Sequence, residues 1–456
     1  MCCCEVKPGK SWVQSHLNVG FLVGVLLVLV TCLVVSQQVA ISGPNVVITE
    51  ALLITDKQLI KAPGETEKVV CDTEDRFSDS CEIDGDVRTN GTALSVVIVP
   101  TTWSERREWR IRPFSCKTMS SIKKVTVTQL QDRAAAPPCT VTHSIPAVLF
   151  SLGGTTGNYW HDFSDVLVPL FIASRRYDGE VQLLISNIQP WWVGIYKALL
   201  QRLSRYDVVD LDSDAQVRCF RHITVGLRMH KVFSIVPERV PGGRLSMADF
   251  TRFQRETYAL PRDAPVSLTQ EPDKKPRLLL IQRGHSRRFV NEQEIARAAE
   301  AAGLEAVAME LRREAMTVDE QARVVNSFDV LLGVHGAGLT NAVFLPPGAV
   351  LIQVAPYGME FIARVEFGEP ATDMGLRYHD YNVTAEESTL LEMLGPDHPV
   401  IRDPDSVHRS RWDKVAEFYL RQDVRIDVAR FAPTLAQALD HLRLQQGQGT
   451  HLPGVI

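Results

Sequence analysis

The stretch with the clearest capacity for chemistry is a glycine-rich turn, His335 to Gly338, within LLGVHGAGLTNAVFL at residues 331–345. An apolar run typical of a β-strand ends at Val334, and a helical pattern begins after the turn. Small residues let the backbone approach a ligand closely, and unpaired N–H groups at a helix start carry partial positive charge. The turn therefore predicts a phosphate or pyrophosphate site, and a tight strand-to-helix turn with a core histidine is the alternative. The glycine order differs from GxGxxG and no GK[ST] follows, which disfavours a dinucleotide fingerprint and a P-loop.

Arginines follow another buried strand, in the segment QRGHSRRFVN at residues 282–291. Arg283, Arg287 and Arg288 can chelate phosphate oxygens with paired hydrogen bonds, although a solvated basic loop is the commoner arrangement. If this strand and the strand 330–334 belong to one parallel sheet, their carboxyl ends meet at the same edge. We therefore expect both turns to contribute to one diphosphate site.

A candidate for proton transfer lies in GGTTGNYWHDFSD at residues 153–165. His161 and Asp165 are four positions apart, which places them on one face of a helix. Either group can act as a general base, with the carboxylate orienting the imidazole, and a helix-stabilising pair is the alternative. The nearby aromatic residues can stack on sugar faces or belong to the core; they are Tyr159, Trp160, Trp191 and Trp192.

Two sets of elements are needed to position these residues. Residues 93–130 contain apolar and alternating runs typical of strands, followed by an alternation of strands and helices over residues 148–225. After a Pro- and Asp-rich segment at 261–276, strands and helices alternate regularly from Arg277 to Val354. This pattern predicts an α/β protein with two lobes, a cleft between them and a parallel sheet in the second lobe.

The N-terminal region predicts a membrane anchor. Leu17 to Val35 is almost wholly apolar, and about 19 residues at about 1.5 Å each span roughly 29 Å, close to a bilayer core. Lys7 and Lys10 precede it, which favours a cytosolic N terminus and a type II topology. The predicted parts are a cytosolic tail (1–16), a transmembrane signal anchor (17–36), a stem (37–80), an N-terminal lobe (81–265) and a C-terminal lobe (266–456).

Composition and cysteine usage agree with a folded luminal region behind that anchor. The chain has 456 residues and a net charge of −5, which disfavours a nucleic-acid partner. An oxidising lumen permits disulfides among the cysteines after the anchor, whose pairing the spacing leaves open; they are Cys71, Cys81, Cys116, Cys139 and Cys219. Asn90 and Asn382 begin acceptor sequons for N-glycosylation. No Cys/His spacing suits zinc, and no Asp-x-Asp pair lies in a convincing metal-binding context.

Three segments resemble glycosyltransferase family 61. Gly333 to Gly348 reproduces a GxHGAGLTN-type turn followed by PPG, Thr156 to Asp165 is similar to a TGNxxHxFxD-type segment, and Arg283 to Glu292 is similar to RxxSRxxxNE. The resemblance extends from about Cys81 to Leu442 and is greatest to the plant members that decorate xylan. Cys116 is atypical among them, which makes it the candidate for a thiol without a partner.

The resemblance implies a GT-B-like fold of two Rossmann-like lobes, with the nucleotide sugar held mainly by the C-terminal lobe. It implies an inverting, metal-independent reaction with a UDP-sugar and no cofactor, in which Asp165 or His161 is the base. The residues implied at the donor site are Arg283, Ser286, Arg287, His335, Gly336, Ala337, Gly338, Asn341 and Glu360. Plant members often have Glu-Trp where this chain has Glu360-Phe361, and Trp160 before the histidine also departs from the usual pattern.

These features predict a type II Golgi enzyme that moves xylose or arabinofuranose from a UDP-sugar to a xylan backbone or related glycan. Its expected partners are the UDP-sugar, the glycan acceptor, the Golgi membrane through residues 17–36, and other Golgi glycosyltransferases. The alternatives are an N-glycan β-1,2-xylosyltransferase, an N-acetylglucosaminyltransferase, or a non-catalytic scaffold that binds polysaccharide. A Rossmann-type oxidoreductase is disfavoured by the glycine order.

Overall fold

The computed structural model of the protein describes residues 67–444, except positions 242, 244, 269 and 272. The predicted cytosolic tail (1–16), the anchor (17–36) and most of the stem (37–80) therefore lie outside the described residues. Within residues 67–444, no helix is both long and apolar enough to cross a bilayer. The described residues belong to one compact unit and form a mixed α/β structure with two sheets.

The first sheet is mixed and contains ten strands among the described residues. They are β1 (Lys68–Asp72), β2 (Ser80–Asn90), β3 (Ser95–Val99), β4 (Arg107–Ile111), β5 (Val125–Gln129), β6 (Val141–Thr142), β7 (Ala147–Ser151), β8 (Gln182–Ser186), β9 (Val209–Asp210) and β10 (Val217–Val225). Their order is β4-β5-β3-β2-β10-β7-β8-β9, with β1 paired to β2 and β6 to β10. Strand β7 is apolar except for Ser151, and it is fully buried between parallel neighbours, as expected of a central strand.

Disulfides join parts of this first sheet. Cys71 on β1 pairs with Cys81 on β2, and Cys139 pairs with Cys219 on β10. Strand β1 begins inside the range predicted for the stem, so the sheet extends further toward the N terminus than residue 81. The prediction that Cys116 is the unpaired thiol is wrong, because its sulfur is also disulfide-bonded. A departure from a family's usual residue does not by itself indicate a free thiol.

The second sheet is wholly parallel, which confirms the prediction from the regular alternation after residue 276. Its strands are β11 (Arg277–Ile281), β12 (Glu305–Met309), β13 (Val330–Val334), β14 (Val350–Ala355) and β15 (Arg377–Asn382), in the order β12-β11-β13-β14-β15. The chain reverses its direction of progress across the sheet between β11 and β13, since β12 lies on one side and β13 on the other. The predicted lobe boundary, at 265 and 266, falls in the segment that joins the two sheets.

Helices cover both sheets. The α-helices of the described residues are Tyr159–His161, Val168–Ser174, Pro190–Ile195, Lys197–Leu203, Met247–Thr257, Glu292–Ala302, Val318–Asn326, Glu360–Ala363, Glu369–Asp373, Thr389–Leu394, Pro399–Arg402, Pro404–Ser410, Trp412–Phe418 and Val428–Leu444. The 3₁₀ segments are Arg133–Ala135, Arg175–Tyr177, Pro237–Arg239, Ala337–Phe344 and Ala385–Glu387. The helices Pro190–Ile195 and Lys197–Leu203 are separate because the backbone leaves the α-helical region at Tyr196.

Two helices contain a π-helical turn, in which one extra residue is inserted. The 159–174 helix has it at Asp162–Leu167, and the 360–373 helix has it at Arg364–Gly368. Insertions of this kind are frequent at functional sites because they redirect the side chains around them.

The two sheets share one apolar core. Phe163 of the 159–174 helix lies 6.2 Å, centroid to centroid, from Phe344, which follows the second sheet's third strand. Trp160 reaches Phe367 of the 360–373 helix in the same way, at 6.5 Å. The largest cluster of buried apolar side chains contains residues of both sheets, such as Val148 and Leu331. This shared packing holds the 159–174 helix in place against the second sheet.

Candidate active site

The glycine-rich turn and the arginine segment lie at one edge of the second sheet. Strands β11 and β13 are parallel neighbours, with Leu278 opposite Val330 and Leu280 opposite Leu332. Arg283 and His335 therefore follow the carboxyl ends of adjacent strands, which confirms the prediction that both turns share an edge. The order of strands reverses at this point, and in open parallel sheets ligands bind at such a reversal.

The two guanidinium groups lie directly against Gly336. A Cβ atom at that position would be 2.8 Å from Arg283 Nη1 and 3.0 Å from Arg287 Nη1, and Gly336 has a φ of +143°. Only glycine accommodates both the backbone conformation and this close approach. The glycine in the turn therefore lets two cationic groups reach the backbone at the sheet edge.

The positive charge of this pair is not neutralised by a salt bridge within the described residues. Arg283 Nε donates to the Ser286 carbonyl at 3.0 Å, whereas the buried Nε of Arg287 has no hydrogen-bond partner. Burial, and repulsion from Arg283, lower the pKa of Arg287 to about 10. Arg288 differs, because it is exposed and its guanidinium binds Asp423 at 2.6 Å. The structure thus separates a half-buried pair suited to an anion from a surface arginine in an ordinary ion pair.

His335 is buried and held in one orientation by Gln353. The Tyr378 hydroxyl donates to Gln353 Oε1 at 2.8 Å, so the Gln353 amide nitrogen faces His335 Nδ1 at 2.9 Å and donates to it. Burial and the charges of Arg287 and Arg283 lower the pKa of His335 to about 3. The imidazole is therefore neutral at physiological pH and carries its proton on Nε2, which makes it a hydrogen-bond donor rather than a base.

Asn341 stabilises the turn and connects it to the 159–174 helix. Its Nδ2 donates to the Gly338 carbonyl at 3.0 Å, and its Oδ1 accepts from the Tyr159 hydroxyl at 3.2 Å. Both side chains are buried. The segment that carries the candidate base is therefore hydrogen-bonded to the turn that follows β13.

His161 and Asp165 form a buried hydrogen-bonded pair on the 159–174 helix. His161 Nδ1 is 2.7 Å from Asp165 Oδ2, which also accepts from the Thr155 hydroxyl at 3.0 Å. With Nδ1–H donated to the carboxylate, Nε2 is the basic nitrogen of the imidazole. Asn158 begins the helix by accepting the Trp160 N–H. Both residues are less than a tenth exposed, so this pair is not a solvated helix-surface contact.

Glu366, on the π-helical turn of the 360–373 helix, is a candidate site residue that the sequence analysis did not identify. Its Oε2 lies 3.5 Å from His335 Nε2. Burial raises the pKa of Glu366 to about 7, the charges of His161 and Arg287 oppose that rise, and the charge of Asp165 adds to it. One carboxyl group therefore lies within electrostatic reach of both the arginine pair and the candidate base. No local motif surrounds Glu366, so only its contacts reveal it.

Asp162 was also missed, and it has a structural role. Its carboxylate accepts from Gly157 N–H at 2.8 Å, Trp192 Nε1 at 3.0 Å and the Tyr196 hydroxyl at 2.9 Å. Arg313, which follows β12, completes the set at 3.2 Å. Burial raises the pKa of Asp162, and these donors oppose the rise. The cluster holds the glycine turn before the helix in place. It also joins that turn to Arg313, which follows strand β12 of the second sheet.

The remaining predicted residues are more scattered. Glu360 is exposed, and its carboxylate accepts from the Gly358 N–H at 3.1 Å rather than meeting the arginine pair. Ala337 and Gly338 are half-buried at the start of the 3₁₀ segment. Among the aromatic residues near the base, only Trp191 is exposed, whereas Tyr159, Trp160 and Trp192 are buried. The ribose contact of Glu360 stays a prediction.

The sequons lie at strand ends. Asn90 ends β2 and is half-buried, with its Oδ1 accepting from the Thr92 hydroxyl and the Ala93 N–H. Asn382 ends β15 and is exposed. As for metals, no group of three or more His, Cys, Asp or Glu side chains within residues 67–444 could hold an ion.

Together these groups have defined chemical capacities. The arginine pair and the turn can bind an anion such as a diphosphate, and the His335 Nε2–H group can donate a further hydrogen bond. The His161–Asp165 pair can accept a proton from a hydroxyl. The site therefore combines groups for anion binding with groups for proton abstraction.

Comparisons with known proteins identify the family of this chain. A family model described as Glycosyltransferase 61 matches residues 159–352, which include the π-helical turn Asp162–Leu167 but not the one at Arg364–Gly368. The chain is 45% identical over 396 residues to "Beta-1,2-xylosyltransferase XYXT1" of Oryza sativa subsp. japonica, covering 82% of this chain and 84% of the relative. It is 44% identical to "Alpha-1,3-arabinosyltransferase XAT3" of the same plant, covering 82% and 66%. It is 32% identical to "Xylan glycosyltransferase MUCI21" of Arabidopsis thaliana, covering 83% and 80%.

Proposed function

The chain belongs to glycosyltransferase family 61, and we propose that it transfers a pentose, xylose or arabinofuranose, from a UDP-sugar to a xylan backbone or a related glycan. Relatives named as xylosyl-, arabinosyl- and xylan glycosyltransferases support the class of sugar and acceptor. The observation that carries the proposal is the half-buried pair Arg283 and Arg287. It has no salt bridge among the described residues and lies against Gly336. The turn that contains Gly336 is hydrogen-bonded, through Asn341 and Tyr159, to the helix that carries the His161–Asp165 pair.

In this proposal the diphosphate of the donor binds at the sheet edge. Arg283 and Arg287 chelate its oxygens, and backbone N–H groups of Gly336, Ala337 and Gly338 complete the cradle. The neutral His335 donates its Nε2–H to the same ligand or to its sugar. Ser286 and Asn341 hold the two turns in place. These fixed donors stabilise the charge that accumulates on departing UDP, and one such donor is typically worth about 3 kcal/mol.

The acceptor is activated from the 159–174 helix. His161 Nε2 takes the proton of the acceptor hydroxyl, and Asp165 orients the imidazole and stabilises its protonated form. The acceptor oxygen forms a bond to the anomeric carbon while the bond from that carbon to the UDP oxygen breaks, and UDP leaves with the electron pair. A single displacement of this kind inverts the anomeric centre.

The wider setting belongs to the same proposal. We infer a GT-B-like arrangement of two Rossmann-like lobes behind the anchor 17–36, with the enzyme in the Golgi lumen as a type II membrane protein. Its associations there include the membrane and other Golgi glycosyltransferases, and Asn90 and Asn382 are the proposed glycosylation sites. The exposure of Asn382 at the end of β15 supports that position as an acceptor.

A donor and acceptor screen with the full-length chain tests the function. UDP-xylose, UDP-arabinofuranose and UDP-N-acetylglucosamine are each incubated with xylan oligomers and with N-glycan acceptors. We expect transfer of one pentose to xylan oligomers with inverted configuration. Mass spectrometry measures the added pentose, and NMR measures the anomeric configuration. UDP binding without turnover on any acceptor would instead indicate a non-catalytic scaffold.

A chelator arm tests the expected independence from metal. The cationic groups already described can neutralise the diphosphate, so turnover should survive excess EDTA. Complete loss that only Mn²⁺ restores would contradict this part of the proposal.

A further inference from the structure

Glu366 and the His161–Asp165 pair meet where the two π-helical turns approach each other. Trp160 Nε1 donates to the Glu366 carbonyl at 3.4 Å, and the Trp160 ring contacts the His161 ring edge to face at 4.8 Å. Phe367, the next residue after Glu366, packs against Trp160 and against the His335 ring at 5.7 Å. The backbone at Glu366 and the Phe367 ring are thus fixed against Trp160, the neighbour of His161, and against the His335 ring.

The Glu366 carboxyl has few of the partners that a buried carboxyl normally has. Its side chain is only 13% exposed, yet its oxygens make no hydrogen bond within residues 67–444, and His335 Nε2 lies 3.5 Å from Oε2. Taking a carboxylate out of water without hydrogen bonds is costly, which fits the rise of its pKa to about 7. Such a group is retained at a loss of stability, and a bound ligand can supply the missing partner.

The location of Glu366 indicates what that partner is. The Glu366 Oε2 atom lies 3.5 Å from Nε2 of His335 in the turn of the proposed diphosphate site, and the Glu366 backbone carbonyl accepts from Trp160, the neighbour of the proposed base His161. Arg287 and His161 also act electrostatically on its carboxyl group. In a single displacement the sugar ring must lie between the leaving diphosphate and the acceptor hydroxyl. A group that is close to both the diphosphate site and the base is therefore placed to contact the transferred sugar.

We propose that Glu366 is a catalytic residue that contacts the transferred pentose, accepting a hydrogen bond from one of its ring hydroxyls. This inference rests on the proposed function and assigns a new residue to the same site. The contact is made to the sugar and not to UDP, so it contributes to selection of the donor sugar. Glu366 forms no covalent bond to the sugar. The negative charge of its carboxylate also offsets the positive charge that develops at the anomeric carbon.

Separate affinities for UDP and for the UDP-pentose test this contact. Both are measured by calorimetry with the full-length wild type, with Glu366→Gln and with Glu366→Ala, using UDP, UDP-xylose and UDP-arabinofuranose. We expect Glu366→Ala to weaken the UDP-pentose by at least tenfold and UDP by less than twofold, with Glu366→Gln intermediate. The matched control is Glu369→Gln, a change of an exposed glutamate on the same helix that pairs with Lys231, and it should alter neither affinity.

The possible results separate a sugar contact from a structural role. Equal weakening of UDP and the UDP-pentose in both Glu366 variants, or no weakening of either, overturns the proposal. If the alanine variant does not fold, Glu366→Asp replaces it, because the shorter chain keeps the charge and withdraws the carboxyl from the sugar. Failure of the proposed function has a different signature, namely wild-type protein that binds UDP-pentose without transferring it, or that binds no UDP-sugar at all.

Discussion

Two largely buried polar clusters include residues of the 159–174 helix, and they differ in how their hydrogen-bonding groups are used. In the first, the Asp162 cluster, the carboxylate accepts from three neutral donors and pairs with Arg313. In the second, the Glu366 cluster, the groups are Arg287, His335, His161, Asp165 and Glu366. There the carboxyl of Glu366 makes no hydrogen bond within the described residues, and Arg287 has a buried nitrogen without a partner.

The difference separates a structural role from a functional one. A buried polar cluster that satisfies itself makes the chain rigid, and it leaves nothing for a ligand. A buried cluster with unmet donors and acceptors reduces stability unless a ligand supplies the partners. Asp162 and Asp165 are three residues apart on one π-helical turn, so neither residue type nor burial distinguishes their roles. The hydrogen-bond partners of each carboxylate distinguish them.

The largest expected effect comes from removing the proposed base. His161→Asn keeps a polar side chain but cannot accept the proton, so turnover should fall by about 10²–10⁴-fold while UDP affinity stays within twofold. Steady-state kinetics and calorimetry measure the two quantities. The control is His222→Asn, because His222 Nδ1 is also 2.7 Å from a carboxylate, Asp84, on the first sheet. Turnover that fell no more in His161→Asn than in the control would place the base elsewhere.

Next in size is the loss of stability from breaking the satisfied cluster. Asp162→Asn removes the buried charge opposite Arg313 and turns one acceptor into a donor, so the free energy of unfolding should fall by about 3 kcal/mol. Urea denaturation measures it. Asp178→Asn, at an exposed position, is the control and should change the free energy by less than about 0.5 kcal/mol. Equal effects of the two substitutions would refute the distinction between the clusters.

A smaller effect is expected from the arginine pair. Arg287→Lys keeps the charge but loses the planar fork that binds two phosphate oxygens, so UDP affinity should fall by about 30-fold, or about 2 kcal/mol. The paired substitution is Arg288→Lys, since Arg288 is exposed and bound to Asp423, and it should change UDP affinity by less than twofold. The comparison fails if both variants bind UDP as the wild type does.

The smallest effect is a change in how stability depends on pH. The folded pKa of Glu366, about 7, lies above the unfolded value, so the wild type loses stability as the pH rises from about 4.5 to about 7. Glu366→Gln cannot ionise and should be more stable than the wild type by about 1–2 kcal/mol at pH 8, with little difference at pH 5. Thermal and urea unfolding without ligand measure this. An identical difference at both pH values would mean that Glu366 does not ionise in this range.

Local patterns in the sequence predicted the elements that carry the site. The apolar runs before Arg283 and before His335 are strands, and their parallel pairing follows from the helices between them. The four-residue spacing of His161 and Asp165 predicted a shared helical face, and the two side chains are hydrogen-bonded. Glycine at 336 was expected to allow close approach of a ligand, and it also admits the two guanidinium groups.

The remaining features depend on contacts between distant residues. The hydrogen bond from Tyr159 to Asn341 joins positions 182 apart in the chain, and Arg313 reaches Asp162 from 151 positions away. The spacing of residues along the sequence does not indicate such pairs, because each partner lies in an ordinary local context. The same reason explains the wrong prediction for Cys116 and the failure to identify Glu366.

By itself, the sequence determined the α/β class, the parallel second sheet, the edge at which the arginines and the glycine turn lie, and the family. Only the tertiary structure decided which of these polar groups satisfy one another and which do not. Secondary structure follows from spacing along the chain, which local side-chain interactions set. Hydrogen-bond satisfaction depends on how two sheets pack through a shared core, and this packing brought Glu366 within electrostatic reach of both Arg287 and His161.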